Sequence, residues 1–187
     1  MSIYSSNKAL LFDLDGTLID TAPDLVAALN MALVEAGLPV ISESIAKYAA
    51  SHGSMALVNS AQPTLDIETK TRLQHSLLAH YLTINGDHSQ PYPGIIELLN
   101  DAKKLGYKLG IVTNKPARFT RPLLDKLNMA QFFDCVISGD STMFSKPHAA
   151  PSYSQLNSLI LKLIISFTLV MRSATCKQLM FAICTLF

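Results

Sequence analysis

The chain has 187 residues, 49% of them hydrophobic and 16% charged, which supports one modest core with a small accessory module rather than two full domains. Fifteen basic residues against fourteen acidic ones leave a net charge of +1, so nothing in the charge balance calls for nucleic acid or an anionic membrane as a partner. Cys135, Cys176 and Cys184 are odd in number and lack metal-ligand spacing, which argues against a disulfide framework or a zinc site and suits a reducing cytoplasm.

In chain order, Met1 to Lys8 is polar and has no apolar core behind a basic start, so a soluble, unexported protein is expected. Ala9-Leu10-Leu11-Phe12 is a short apolar run that stops abruptly at Asp13, Asp15 and Gly16. That pattern predicts a buried parallel strand delivering acids at its carboxyl end, where open α/β sheets place their chemistry. Two carboxylates two residues apart can divide labour there: one attacks phosphorus, the other protonates the leaving oxygen and then activates water. Gly16 permits a tight path that brings main-chain amides close to a phosphate.

From Asp20 the character changes to helix. Thr21 is the predicted cap, Pro23 sits in the first turn, Leu25, Leu29, Ala32, Leu33 and Ala36 recur at helical spacing, and Gly37 stops the run. Further helices are predicted over 44–50, 54–61 and 67–84, so residues 20–90 read as an all-helical module. Ser51-His52-Gly53-Ser54 is a candidate loop facing a site or a surface turn, and His75, His80 and His88 show no metal-ligand spacing. After the punctuation of Pro91-Tyr92-Pro93-Gly94, a helix is predicted over 95–105, a strand over 108–112, a helix over 118–127 and a strand over 135–137. Alternating strands and helices imply a parallel, doubly wound sheet.

At the end of the second core strand stands Ile111-Val112-Thr113-Asn114-Lys115-Pro116, where a hydroxyl and neighbouring amides can hold a non-transferring phosphate oxygen. Ser145-Lys146-Pro147-His148-Ala149-Ala150-Pro151 follows later, with His148 read as a loop residue.

Asp13-Leu14-Asp15-Gly16-Thr17-Leu18-Ile19-Asp20, with these two strings in order behind it, resembles the motifs of the haloacid dehalogenase superfamily. The helical stretch between the first and second motifs resembles the cap of phosphoglycolate phosphatase and its relatives. The resemblance implies a Rossmann-like core over 1–19 and 91–151 with an inserted helical cap over 20–90. It makes Asp13 the nucleophile and a Mg2+ ligand, and Asp15 the acid/base that lends its backbone carbonyl to the metal. Gly16, Thr113 and Asn114 become phosphate-binding residues, and Lys146 neutralises phosphoryl charge. The implied activity is hydrolysis of a small phosphorylated metabolite, 2-phosphoglycolate first among candidates, with transfer to a sugar as in related mutases an alternative; the oligomeric state stays open.

The family's fourth motif, an apolar strand ending in Gly-Asp-x-x-x-Asp, has no counterpart. No acidic residue follows Asp140, and Gly139-Asp140 precedes Lys146, so it is read as a decoy. Residues 152–187 lack glycine, proline and acids, and are expected not to supply the later strands. Read one base earlier, their codons can encode Gly-Asp at Val170-Met171 and Asp-Met-Gln-Ala-Ala-Asn from Thr175 to Met180, which suggests an out-of-frame tail. A membrane span is the competing reading, but polar interruptions between Leu156 and Met171 leave it short. The expected consequence is impaired activity, or a non-catalytic phosphate-binding relative.

Overall fold

The computed structural model describes residues 9–43, 49–50, 53–141, 168–171 and 183–184. Its elements in chain order are β1 (Ala9–Phe12), β2 (Ile19–Asp20), α1 (Ala22–Glu35), α2 (Ser54–Ala61), α3 (Ile67–Ile84), β3 (Gln90–Pro91), α4 (Ile95–Lys104), β4 (Lys108–Val112), α5 (Ala117–Lys126), a 3-10 turn (Ala130–Phe132), β5 (Cys135–Ile137), β6 (Thr168–Met171) and β7 (Ile183–Cys184). They fall into two compact units, Met1–Leu18 with Pro91–Phe187, and Ile19–Gln90.

The first unit is built on a five-stranded sheet in the order β5-β4-β1-β6-β7. β1 pairs in parallel with β4 on one side and β6 on the other, β4 pairs in parallel with β5, and β7 closes the edge antiparallel to β6. Leu11, Phe12, Leu109, Ile111 and Val112 are buried, as continuous apolar strands covered on both faces require. α4 buries Ile95, Leu99 and Ala102, and α5 buries Phe119, Thr120, Leu123 and Leu124. This is an α/β, Rossmann-like parallel sheet. The chain moves outward from β1 through β4 to β5 and then resumes on the other side of β1 at β6. The order therefore reverses at β1, which opens the ligand crevice of such sheets at that strand's carboxyl end.

Two short strands of this sheet, β6 and β7, come from the tail, which was expected not to fill the role of the later strands as intended. Without β6, the second edge of β1 would carry a row of unpaired amides and carbonyls beside a buried core. The β-branched and apolar run Thr168-Leu169-Val170-Met171 is suited to that slot.

The second unit packs α1 against α3 and α2 against both, burying Leu29, Leu33, Leu57, Val58, Leu73, Leu77 and Tyr81. Thr21 occupies the N-cap position of α1 but makes no side-chain cap bond. Its backbone, φ −97° and ψ −2°, is already helical, whereas a capping side chain needs an extended residue to reach back. Asp20 does part of that work, its Oδ1 accepting from Ala22 N–H at 3.3 Å. Of the predicted 44–50 helix, residues 44–48 lie outside the described residues, as do Ser51 and His52. His80 and His88 each meet a carboxylate, Glu35 and Asp24 respectively.

Candidate active site

Asp13 leaves the end of β1, and its Oδ1 accepts from Leu14 N–H at 2.9 Å. The chain then turns tightly, with Thr17 and Leu18 N–H both donating to Leu14 C=O at 3.3 and 3.0 Å. Gly16, at φ +72°, supplies the left-handed residue this reversal needs. Asp15 is thereby carried to the same edge of the sheet as Asp13.

The register Phe12↔Ile111 between β1 and β4 brings both strands to their carboxyl ends together. Thr113, the first residue beyond β4, is buried, its N–H donating to Ile137 C=O at 2.9 Å. Its hydroxyl oxygen accepts from Lys115 N–H at 3.1 Å. Asn114 is exposed.

Lys115 is the residue that the sequence reading passed over. Its Nζ lies 3.0 Å from Asp15 Oδ1, and its side chain is only 7% exposed. Three segments fix its backbone: besides the Thr113 hydroxyl, Gly139 N–H and Thr120 Oγ1 both donate to Lys115 C=O, at 3.0 and 3.1 Å. A lone lysine one residue past a strand-end Asn gives no local signal of this. The only clue lay in its place within the Thr-Asn-Lys-Pro string.

Gly139 lies so close to Asn114 that a Cβ on it would fall 2.1 Å from the Asn114 carbonyl oxygen. Only glycine fits without moving one of the two loops. Asp140, set aside as a decoy for a metal ligand, accepts from Ala117 N–H at 2.9 Å and so caps the first turn of α5. Lys146 and His148 lie outside the described residues.

Among the described residues no three His, Cys, Asp or Glu side chains converge as a metal cage. The carboxyl end of β1 nevertheless offers hard oxygen donors in the Asp13 carboxylate and the Asp15 main-chain carbonyl. One or two carboxylates suffice for magnesium where waters and substrate phosphate complete its octahedron, so this donor set fits the ion as a partial shell.

Among the described residues no helix is long and apolar enough to cross a membrane. The family model for haloacid dehalogenase-like hydrolases matches residues 10–163. A phosphoglycolate phosphatase of Caulobacter vibrioides is 39% identical over 151 residues, covering 78% of this chain and 64% of the relative. An N-acetylmuramic acid 6-phosphate phosphatase of Pseudomonas putida is 37% identical over 147 residues, covering 77% and 65%. This chain thus spans about two thirds of the length of such curated relatives. A crystal structure from Haemophilus somnus, described as a predicted phosphoglycolate phosphatase, superposes with a TM-score of 0.70 at 31% identity, covering 81% of this chain and 71% of that one. The chain belongs to the haloacid dehalogenase-like hydrolase family.

Proposed function

We propose that this chain is built as a magnesium-dependent phosphatase acting on a small phosphate monoester, with 2-phosphoglycolate the leading substrate and Asp13 the nucleophile. One observation carries the reading. Asp13 and Asp15 emerge where the strand order reverses, beside the end of β4, with Lys115 bonded to Asp15. The similarity to phosphatases of phosphoglycolate and of a phosphorylated amino sugar supports a phosphomonoester as substrate.

A carboxylate oxygen of Asp13 attacks phosphorus in line with the ester oxygen, and the P–O ester bond breaks as Asp15 delivers its proton to the departing alcohol. Asp15, now a carboxylate, takes a proton from water, whose oxygen attacks the aspartyl phosphate and frees Asp13 and inorganic phosphate. The Thr113 hydroxyl, already accepting from Lys115 N–H, has its own proton to give to a non-transferring oxygen. Gly16 and Asn114 offer main-chain amides, and Lys146 a positive charge. Magnesium, when held by Asp13 and the Asp15 carbonyl, supplies further neutralisation of phosphoryl charge.

The missing acids after Asp140 favour a second reading, a weakly active or non-catalytic phosphate-binding relative. Magnesium-dependent release of nitrophenolate from p-nitrophenyl phosphate separates the two. Turnover is expected to be low and to vanish in Asp13→Asn, and turnover that survives that substitution refutes Asp13 as the nucleophile.

A further inference from the structure

We infer that Lys115 sets substrate choice: its ammonium receives a carboxylate on the alcohol part of the ester, so the site favours phosphate esters of 2-hydroxy acids over neutral phosphate esters. The inference rests on the phosphatase reading and extends it to the leaving group.

Three facts place Lys115 there. In-line displacement puts nucleophile and leaving group on opposite sides of phosphorus, so the proton donor Asp15 stands by the leaving oxygen and Lys115 stands next to Asp15. Lys115 Nζ is 3.0 Å from Asp15 Oδ1, and a proton donor must come within about 3 Å of the oxygen it protonates. The ammonium therefore lies within about 6 Å of the departing oxygen, and the carboxylate of a 2-hydroxy acid begins two bonds beyond that atom. Finally, the side chain is 7% exposed and its backbone is held by Thr113, Thr120 and Gly139. Its charge is thus pre-positioned and shielded from water, with Asp15 as its present counter-charge, and that carboxylate ceases to compensate it whenever Asp15 carries the proton it delivers.

Charge bookkeeping points the same way. Asp13 and Asp15 already make this corner acidic, and a substrate bringing a phosphate and a carboxylate adds more negative charge to it. A buried cation on the leaving side offsets the part that the phosphate-binding groups do not face.

The test uses the full chain carrying Asp13→Asn, which holds an ester without turning it over. Isothermal titration in magnesium compares 2-phosphoglycolate with ethyl phosphate, which lacks the carboxylate. The Asp13→Asn chain is expected to bind phosphoglycolate about tenfold more tightly, and adding Lys115→Met should remove about that factor for phosphoglycolate while changing ethyl phosphate by less than about twofold. Lys115→Arg, which keeps the charge, should retain the preference. Equal affinity for the two esters in the Asp13→Asn chain overturns the inference without any change at Lys115, and so does an equal loss for both in Lys115→Met; either leaves the phosphatase reading standing. Failure of both esters to bind at all removes that reading together with the inference.

Discussion

Asp24 is fully buried in the first turn of α1, a position where an unpaired carboxylate would be costly. Both its oxygens are met. Oδ2 accepts from Gly86 N–H at 2.8 Å and from Ser89 N–H and hydroxyl, while Oδ1 accepts from His88 N–H at 2.8 Å and faces His88 Nδ1 at 3.0 Å. Burial pushes its pKa up, but the Ser89 hydroxyl, the His88 and Gly86 amides and the His88 ring together outweigh it and hold the carboxyl below its ordinary value of 3.8. A depressed folded value means that the stabilisation is complete above 3.8 and is lost as pH falls below it. Stability measured by urea unfolding should therefore decline on acidification below about pH 4, and Asp24→Ala should flatten that decline while costing about 3 kcal/mol at neutral pH. An acid limb unchanged in Asp24→Ala would assign the effect to other carboxylates. Gly139 gives a prediction of the same scale. Since a Cβ there meets the Asn114 backbone at 2.1 Å, Gly139→Ala should destabilise the chain by about 1–3 kcal/mol in thermal unfolding and weaken phosphate binding by displacing the loop that carries Thr113 and Lys115. A variant with native melting and binding would show that the two loops move apart freely.

At the scale of elements, the start of α5 is one residue earlier than its hydrophobic spacing predicts, at Ala117 rather than Arg118. Asp140 explains the shift, because its carboxylate takes up the Ala117 amide from across the sheet edge. Asp140→Ala should cost about 1 kcal/mol in unfolding and leave hydrolysis nearly unaltered, whereas loss of all turnover with native melting would make Asp140 part of the chemistry. The contrast between Asp140 and the other element boundaries shows what a sequence makes legible. α2, α3, β4 and β5 lie where the sequence placed them, because glycine, proline and Asp66 punctuate strongly periodic runs; Asp66 caps α3 by accepting from Thr69 N–H at 2.9 Å. Thr113 at a strand end was legible for the same local reason. Lys115 was not, since its partner Asp15 is 100 residues away in the chain and only the pairing of β1 with β4 joins them. The Asp24 cluster, spanning 62 to 65 residues, was hidden for the same reason: within α1 the residue reads as an ordinary first-turn acid.

For the whole molecule, the decisive feature is the strand on the free side of β1. The register Phe12↔Met171 sets the end of β6 beside the end of β1, one residue before Asp13. We propose that the gene encodes in that slot the acids that the written chain lacks, because reading one base earlier turns Val170-Met171 into Gly-Asp and Thr175 into a second Asp. The shifted Gly-Asp would then close a strand adjoining the nucleophile, where a carboxylate could complete the partial magnesium shell. The proposal fixes individual bases. The codons of Leu169, Val170 and Ala174 must each end in G, and Cys176 must be TGC, since TGT would put a stop codon in the shifted frame. Sequencing the gene tests all four at once, and a single mismatch among the first three removes one of the restored acids or the glycine before them. If all four hold, a chain continued in the shifted frame from Ser152 should hydrolyse phosphate esters at least about a hundredfold faster than the present one, since weakening even the groups behind a metal's ligands costs about 10–100-fold. Equal rates from the two chains would mean that Asp13 and Asp15 need no third acid, and would leave β6 with a structural part alone.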